Sequence, residues 1–181
     1  MKPIVFLDRD GTINVDHGYV TDPARVELIE GAAEGLLLLS EAGFDLVIVT
    51  NQSAIGRQMA TSAEVEATNH RVLELVFDET GVVFHSIRYC PHHPDAGCEC
   101  RKPKTGLVSD IIKLPDFDPL KAYMVGDKMS DIDFGRNIGI ADSNLFLLPN
   151  SSAKAKESSQ GEIVIASSLL AAAKVILKSH H

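Results

Sequence analysis

Short apolar runs that alternate with helical stretches constrain the fold of this chain more than any other feature of its sequence. The runs lie at residues 4–7, 46–49, 87–89, 122–125 and 145–148, with a shorter one at 163–164. The helical patterns lie at residues 32–42, 63–80, 105–113, 130–138 and 169–178. The runs are continuously apolar, as is typical of parallel strands that helices cover on both faces. The sequence therefore predicts a doubly wound α/β fold built on a parallel sheet.

Length, charge and hydropathy exclude several classes of protein. The chain has 181 residues, which predicts a single domain over residues 1–181. Its 25 Asp and Glu outnumber its 17 Lys and Arg, and a formal net charge of −8 argues against a nucleic-acid partner. No apolar run approaches the roughly 20 residues of a membrane span, and the N-terminal run is too short for a signal peptide. We therefore expect a cytoplasmic protein that needs no membrane and is a monomer by default, with a mobile surface loop at 150–161.

Polar motifs follow three of the predicted strands. The first strand runs into DRDGT (8–12), the second into TNQS (50–53), and the strand at 122–125 into GDK (126–128). A fourth group, CRKPK (100–104), precedes a predicted helix. Any one of these could be an ordinary Asp and Gly turn. Because ligands bind beyond the carboxyl ends of the strands in a doubly wound sheet, the four together indicate a functional site.

The residue types in these motifs suit phosphoryl transfer. Asp8 and Asp10 are two apart, so in extended backbone they project to the same side. With Asp127 they place at least three carboxylates at one edge of the sheet, and their mutual repulsion favours a divalent cation such as Mg²⁺. The hydroxyl of Thr50 and the ammonium of Lys102 are donors of the kind that hold phosphoryl oxygens. The motifs therefore predict a magnesium-dependent site for a phosphorylated substrate.

At these residues the chain resembles the haloacid dehalogenase-like (HAD-like) phosphatase superfamily, over essentially its whole length. The resemblance implies a Rossmann-like sheet and phosphoryl transfer in two steps. Asp8 would be the nucleophile that forms an aspartyl-phosphate, and Asp10 would act as general acid and then as general base. Thr50 and Lys102 would stabilise the transferring phosphoryl group. Asp127 would hold Mg²⁺ together with the Asp8 carboxylate and the Asp10 backbone carbonyl.

A cluster of thiols predicts a second metal site. The motif C-x-H-x₅-C-x-C contains Cys90, His92, Cys98 and Cys100. Three thiolates and one imidazole at this spacing suit tetrahedral Zn²⁺ in a closed, structural site. His92 is favoured over His93, because its spacing from Cys90 puts both side chains on one side of extended backbone. The alternative is three reduced cysteines in a loop without metal.

The spacing of the motifs leaves no room for a cap domain. About 40 residues separate the first motif from Thr50, and much of that length is one predicted helix. Two branches of the superfamily carry a zinc loop of this kind, the heptose bisphosphate phosphatases and the histidinol-phosphate phosphatases. Residues 8–20 resemble the heptose branch, whereas the short zinc loop resembles the histidinol branch. Ala54 stands where the heptose branch usually has a glycine.

The resemblance to the heptose branch implies a small sugar bisphosphate as substrate. It places beside the sugar the residues Asp16, His17, Gly18, Tyr19, Thr50, Asn51, Gln52 and Ser53. Arg101 would contact the distal 1-phosphate, and Lys128 would support the phosphoryl end with Lys102. Two alternatives stay open at this point: a histidinol-phosphate phosphatase, and a zinc-stapled module that binds phosphate without turnover.

Overall fold

A parallel sheet of six strands lies at the centre of the part of the chain that this computed structural model describes, residues 2–149 and 163–180. The strands are β1 (Ile4–Leu7), β2 (Asp45–Asn51), β3 (Ser86–Cys90), β4 (Ala122–Gly126), β5 (Leu145–Leu147) and β6 (Val164–Ile165). The helices are α1 (Ala32–Glu41), α2 (Ser62–Thr80), α3 (Met129–Asn137) and α4 (Leu169–Ser179). The strand order is β3-β2-β1-β4-β5-β6, with every pairing parallel. The predicted doubly wound α/β fold is confirmed.

Each face of the sheet carries its own hydrophobic core. Successive residues of β1 point to opposite faces, so Val5 and Leu7 join a core that contains residues of α1, α2 and α4. Ile4 and Phe6 join the other core, which α3 covers. There the rings of Phe6 and Phe134 meet edge to face, with centroids 6.0 Å apart. Both faces of β1 are therefore buried, which explains its continuously apolar sequence.

The helix α2 begins and ends with well-defined caps. The Thr61 hydroxyl accepts a hydrogen bond from the backbone N–H of Glu64 at 3.2 Å, and the Glu64 carboxylate accepts one from the Thr61 N–H at 2.7 Å. This capping box satisfies two N–H groups that the first turn would leave without partners. Gly81, with φ of 72°, ends the helix in the left-handed conformation that glycine adopts most readily. The caps therefore define the first and last turns of α2.

The prediction of a helix over residues 105–113 is wrong. The structure has a three-residue 3₁₀ helix at Gly106–Val108, followed by turns. The guanidinium of Arg88 donates to the Leu107 carbonyl at 3.0 Å, which an α-helix would have offered to the N–H of Ile111. That N–H bonds to Val108 instead, at 2.9 Å. A tertiary contact from β3 thus overrides the local helical pattern.

Other differences from the predicted elements are small. The strand predicted at 163–164 is β6, one residue later, and β2 extends to Asn51. The surface loop predicted at 150–161 lies outside the described residues. Among the helices that the structure describes, none combines the length and the apolar character that crossing a membrane requires.

Candidate active site

Three neighbouring strands bring the predicted motifs to one edge of the sheet. β1 lies between β2 and β4, and their carboxyl ends present Asp8, Thr50 and Asp127 side by side. The backbone N–H of Asp8 bonds to the Val125 carbonyl at 2.9 Å, which extends the pairing of β1 and β4 into the site. A small cleft at this edge is lined by Asp8, Asp10, Thr50, Asn51, Lys102, Lys128, Ser130 and Asp131.

A cluster of three buried carboxylates lies in the floor of this cleft. One oxygen from each of Asp8, Asp127 and Asp131 lies within 4.8 Å of the others. Burial and the negative charge of Asp8 raise the pKa of Asp127 to about 7, and burial raises that of Asp131 to about 6. Gly126 leaves room for this cluster, because a Cβ there would overlap the Asp131 carboxylate. Closely spaced, hard oxygen donors of this kind fit Mg²⁺, whose charge would offset their repulsion.

Lys102 balances part of this negative charge. Its buried ammonium lies 2.7 Å from Asp8 and 2.6 Å from Asp131, and it donates to the Val49 carbonyl at 2.6 Å. Burial alone would lower the pKa of Lys102, but the carboxylates of Asp131 and Asp8 raise it above its ordinary value. The lysine therefore stays charged beside the predicted nucleophile. The sequence motifs do not predict the contact of Lys102 with Asp131, which lies in the first turn of α3.

The Asn51 side chain holds the backbone of Lys102. Its amide oxygen accepts from the Lys102 N–H at 3.0 Å, and its amide nitrogen donates to the Lys102 carbonyl at 3.2 Å. This reciprocal pair joins the end of β2 to a loop about fifty residues further along the chain. Asn51 thus lies at the predicted site, but both polar atoms of its amide bond to the Lys102 backbone and so position the lysine.

Hydrogen-bond donors surround the Asp10 carboxylate. Arg9 donates to both of its oxygens at 2.9 Å, and Asn14 donates to one of them at 2.9 Å. The Gln52 amide donates to Asp10 at 2.8 Å and also to the Thr50 hydroxyl at 2.8 Å. Gln52 therefore ties the predicted acid/base residue to the predicted phosphoryl-binding threonine. Arg9 is fully buried, and sequence reasoning missed it although a charge at the end of an apolar strand is an unusual signal.

Lys128 connects the cluster of three carboxylates to the loop predicted to line the sugar. Its half-exposed ammonium lies 3.3 Å from Asp16 and 3.7 Å from Asp127. Burial opposes its charge, but Asp127, Asp8 and Asp16 together raise the pKa of Lys128 above its ordinary value. The ion pair of Lys128 with Asp16 holds the loop next to the cleft.

The rest of that loop is open to solvent. The Gly18 N–H donates to Asp16 at 2.9 Å, and its φ of 89° is one that glycine adopts readily. Tyr19 is 42% exposed, and the nearest ionic partner of His17 is Glu27 at 3.8 Å. The structure therefore places Asp16 next to Lys128 and leaves the side chains of His17 and Tyr19 exposed.

Two predicted substrate contacts, Ser53 and Arg101, lie in the second and fourth motifs, and Ala54 follows the first of them. Ser53 and Ala54 are buried, and Ala54 does not have a positive φ, so alanine is accommodated where a glycine is usual. Arg101 precedes Lys102, and its Nη1 atom is buried with no hydrogen-bond acceptor among the described residues. A buried guanidinium nitrogen without an acceptor is costly, so this donor is suited to an anionic ligand.

The predicted zinc residues converge on one point. The ligand atoms of Cys90, His92, Cys98 and Cys100 all lie within 4.8 Å of one another, with sulfur separations of 3.3 to 3.6 Å. Zn–S bonds of about 2.3 Å put sulfurs about 3.8 Å apart at the corners of a tetrahedron, so the set fits zinc. Burial and the Cys90 and Cys98 thiols raise the pKa of Cys100 to about 12. All three cysteines can therefore be thiolates together only when a bound cation offsets their charge. His93 lies outside the cluster, with its ring against Asp95.

Comparison with known proteins gives a matching family profile and several named relatives. A HAD-hydrolase-like family profile matches residues 99–167. A D-glycero-beta-D-manno-heptose-1,7-bisphosphate 7-phosphatase of Haemophilus ducreyi is 40% identical over 145 residues, which are 77% of this chain and 80% of that protein. The enzyme of the same name from Escherichia coli is 42% identical over 137 residues, 72% of this chain and 71% of that protein.

A solved structure with the same fold carries ligands. It is the D,D-heptose 1,7-bisphosphate phosphatase of B. bronchiseptica complexed with magnesium and phosphate, with a TM-score of 0.86 and 29% identity. The alignment covers 97% of this chain and 98% of that one.

Proposed function

We propose, because the chain belongs to the HAD-like family of D-glycero-beta-D-manno-heptose-1,7-bisphosphate 7-phosphatases, that it removes the 7-phosphate of this sugar bisphosphate. The observation that carries the proposal is the buried contact of Lys102 with Asp8, beside the Asp127 and Asp131 carboxylates. A carboxylate can attack a phosphate dianion only where cations offset both charges, and this cleft holds one such cation and the ligands for another. Binding without turnover would need no such nucleophile.

In the first step, a carboxylate oxygen of Asp8 attacks phosphorus, and the bond from phosphorus to the C7 oxygen breaks. Asp10 gives its proton to the departing alkoxide, so the products are the aspartyl-phosphate and the heptose 1-phosphate. Lys102 and the Thr50 hydroxyl donate to the phosphoryl oxygens as charge redistributes over them. Mg²⁺, held by Asp8, Asp127 and the Asp10 carbonyl, would offset the phosphate charge.

In the second step, Asp10 acts as the base. Its carboxylate takes a proton from water as the water oxygen attacks phosphorus, and the bond to the Asp8 oxygen breaks. Inorganic phosphate leaves, Asp8 is again a carboxylate, and Asp10 is again protonated for the next turnover. The Gln52 amide, which touches both Asp10 and Thr50, keeps the base next to the phosphoryl group through both steps.

The distal part of the substrate is bound by short loops, because the chain has no room for a cap domain. Arg101 donates to the 1-phosphate, which supplies the acceptor that its buried Nη1 lacks among the described residues. Asp16, Gly18, Tyr19 and Ser53 line the sugar, with His17 at the outer edge and Lys128 supporting the phosphoryl end.

A structural Zn²⁺ held by Cys90, His92, Cys98 and Cys100 stabilises the loops next to the phosphate site. The N–H of Gln52 bonds to the Cys90 carbonyl at 2.8 Å, so the zinc loop contacts the motif that follows β2 as well as carrying Arg101 and Lys102. Zinc would thus order both loops that face the phosphate. The expected cytoplasmic location and monomeric state stay predictions.

The experiment is Mg²⁺-dependent phosphate release from a panel, with Asp8→Asn as the blank. The panel contains both anomers of heptose 1,7-bisphosphate, histidinol phosphate and simple sugar phosphates. We expect kcat/KM to be highest for the β anomer. A higher value for histidinol phosphate would overturn the assigned substrate, and no turnover of any member would overturn the phosphatase assignment.

A further inference from the structure

A polar residue interrupts the apolar stripe of α2 and reaches the active site. The buried positions of this helix are Val65, Thr68, Asn69, Val72 and Val76. Asn69 is 3% exposed, and its side-chain oxygen accepts from Nη1 of Arg9 at 2.5 Å. A valine or leucine would suit the packing of this stripe, so apolar burial does not explain why an asparagine lies here.

Arg9 passes this contact on to Asp10. Its guanidinium is fully buried, with Nη1 on Asn69 and Nη2 on both oxygens of Asp10 at 2.9 Å. A guanidinium is planar and rigid, so fixing one nitrogen fixes the direction of the others. Asn69 on the helix therefore sets the plane in which Arg9 meets the Asp10 carboxylate.

We propose that Asn69 is a positioning residue for catalysis, acting through Arg9 to aim the Asp10 carboxyl at the leaving oxygen. This inference rests on the proposed function only in taking Asp10 as the general acid, and it holds for any alkyl phosphate that the enzyme cleaves. Without Asn69, the buried Nη1 loses its acceptor and the guanidinium tilts to find another one. The Asp10 carboxylate, which Asn14 and Gln52 still hold, then turns away from its catalytic orientation.

The leaving group separates this role from a general effect on folding. An alkoxide needs a proton from a positioned acid as the bond to phosphorus breaks, whereas p-nitrophenolate is stable enough to leave without one. Because kcat/KM reports the formation of the aspartyl-phosphate, a misplaced acid lowers it for sugar phosphates far more than for p-nitrophenyl phosphate. A distorted site lowers both alike.

The test compares Asn69→Leu, which fills the volume without an acceptor, with Asn69→Asp, which keeps one. Thr68→Val is the matched control, because Thr68 is buried on the same helix and its hydroxyl bonds only to the Glu64 carbonyl at 2.9 Å among the contacts described. For each variant, kcat/KM is measured on p-nitrophenyl phosphate and on the alkyl phosphate that the wild type cleaves fastest.

We expect Asn69→Leu to lower kcat/KM about 10- to 100-fold on the alkyl phosphate and less than about threefold on p-nitrophenyl phosphate. Asn69→Asp should recover most of the loss, and Thr68→Val should change the ratio less than about twofold. Equal losses on both substrates, or no loss, would overturn the proposal. If Asn69→Leu does not fold, Asn69→Ala gives the same ratio. A wild type that prefers another alkyl phosphate overturns the assigned substrate but not this inference.

Discussion

Replacing Asp127 by asparagine should stabilise the fold above neutral pH when Mg²⁺ is absent, although it removes a proposed Mg²⁺ ligand. The wild-type carboxyl is buried beside Asp8, and its pKa rises from the ordinary value of 3.8 to about 7. The folded state therefore binds more protons than the unfolded state between these values, so stability falls as the pH rises through this window. At about 1.4 kcal/mol per pH unit, the full loss is on the order of 4 kcal/mol.

Most of that loss falls within a range of pH that can be measured. By about pH 5 roughly 1.5 to 2 kcal/mol has already been lost, so the advantage of Asp127→Asn should grow by about 2 to 3 kcal/mol between pH 5 and pH 8. The assay is urea unfolding of zinc-loaded protein at these two pH values, with and without excess Mg²⁺. Mg²⁺ should stabilise the wild type most at the higher pH and leave the variant unchanged.

The control is Asp133→Asn, which removes a half-exposed carboxylate of α3 that is paired only with Arg136 among the ion pairs described. Its stability difference from the wild type should be small and nearly the same at both pH values. A difference between Asp127→Asn and the wild type that does not change with pH would refute the reasoning, because it would mean that Asp127 is ionised at no cost in the folded protein.

Three further predictions concern Lys102, the zinc loop and Gly56. Lys102→Met leaves Asp8 and Asp131 buried without their cation, so urea unfolding without Mg²⁺ should show a loss of about 3 to 5 kcal/mol. Cys100→Ser should lower the zinc content measured by metal analysis, and it should reduce phosphate release even in excess Mg²⁺; full activity without zinc would contradict this. Gly56→Val should lower kcat, because a Cβ at position 56 would overlap the backbone of His93 in the zinc loop. An unchanged rate would show that this close contact is unimportant for activity.

The meeting of these motifs at one edge of the sheet could be predicted because they lie at the ends of strands. Asp8 and Asp127 follow β1 and β4, which are neighbours in the strand order 3-2-1-4-5 that is common in doubly wound sheets, so this order brings them together. The zinc cluster could also be predicted from the sequence, since its four residues lie within one loop and their spacing limits the geometry. In both cases the distance along the sequence, or the topology, fixes the distance in space.

The contacts that depend on tertiary packing could not be predicted. Asn69 lies 60 residues from Arg9, and nothing in either motif indicates that α2 packs over the end of β1. The predicted helix at 105–113 failed for the same reason, because the Arg88 side chain takes a carbonyl that the local pattern assigned to the helix. Side chains that reach across elements decide such points, and their partners appear only in the folded structure.

The most direct test of the two-step mechanism uses Asp10→Asn with p-nitrophenyl phosphate. The first step needs no acid for this leaving group, whereas hydrolysis of the intermediate loses its base. We predict a rapid burst of about one nitrophenolate per enzyme, followed by very slow turnover, and an acyl phosphate on Asp8 in acid-quenched peptides. Linear release without a burst, together with an unmodified Asp8, would contradict it.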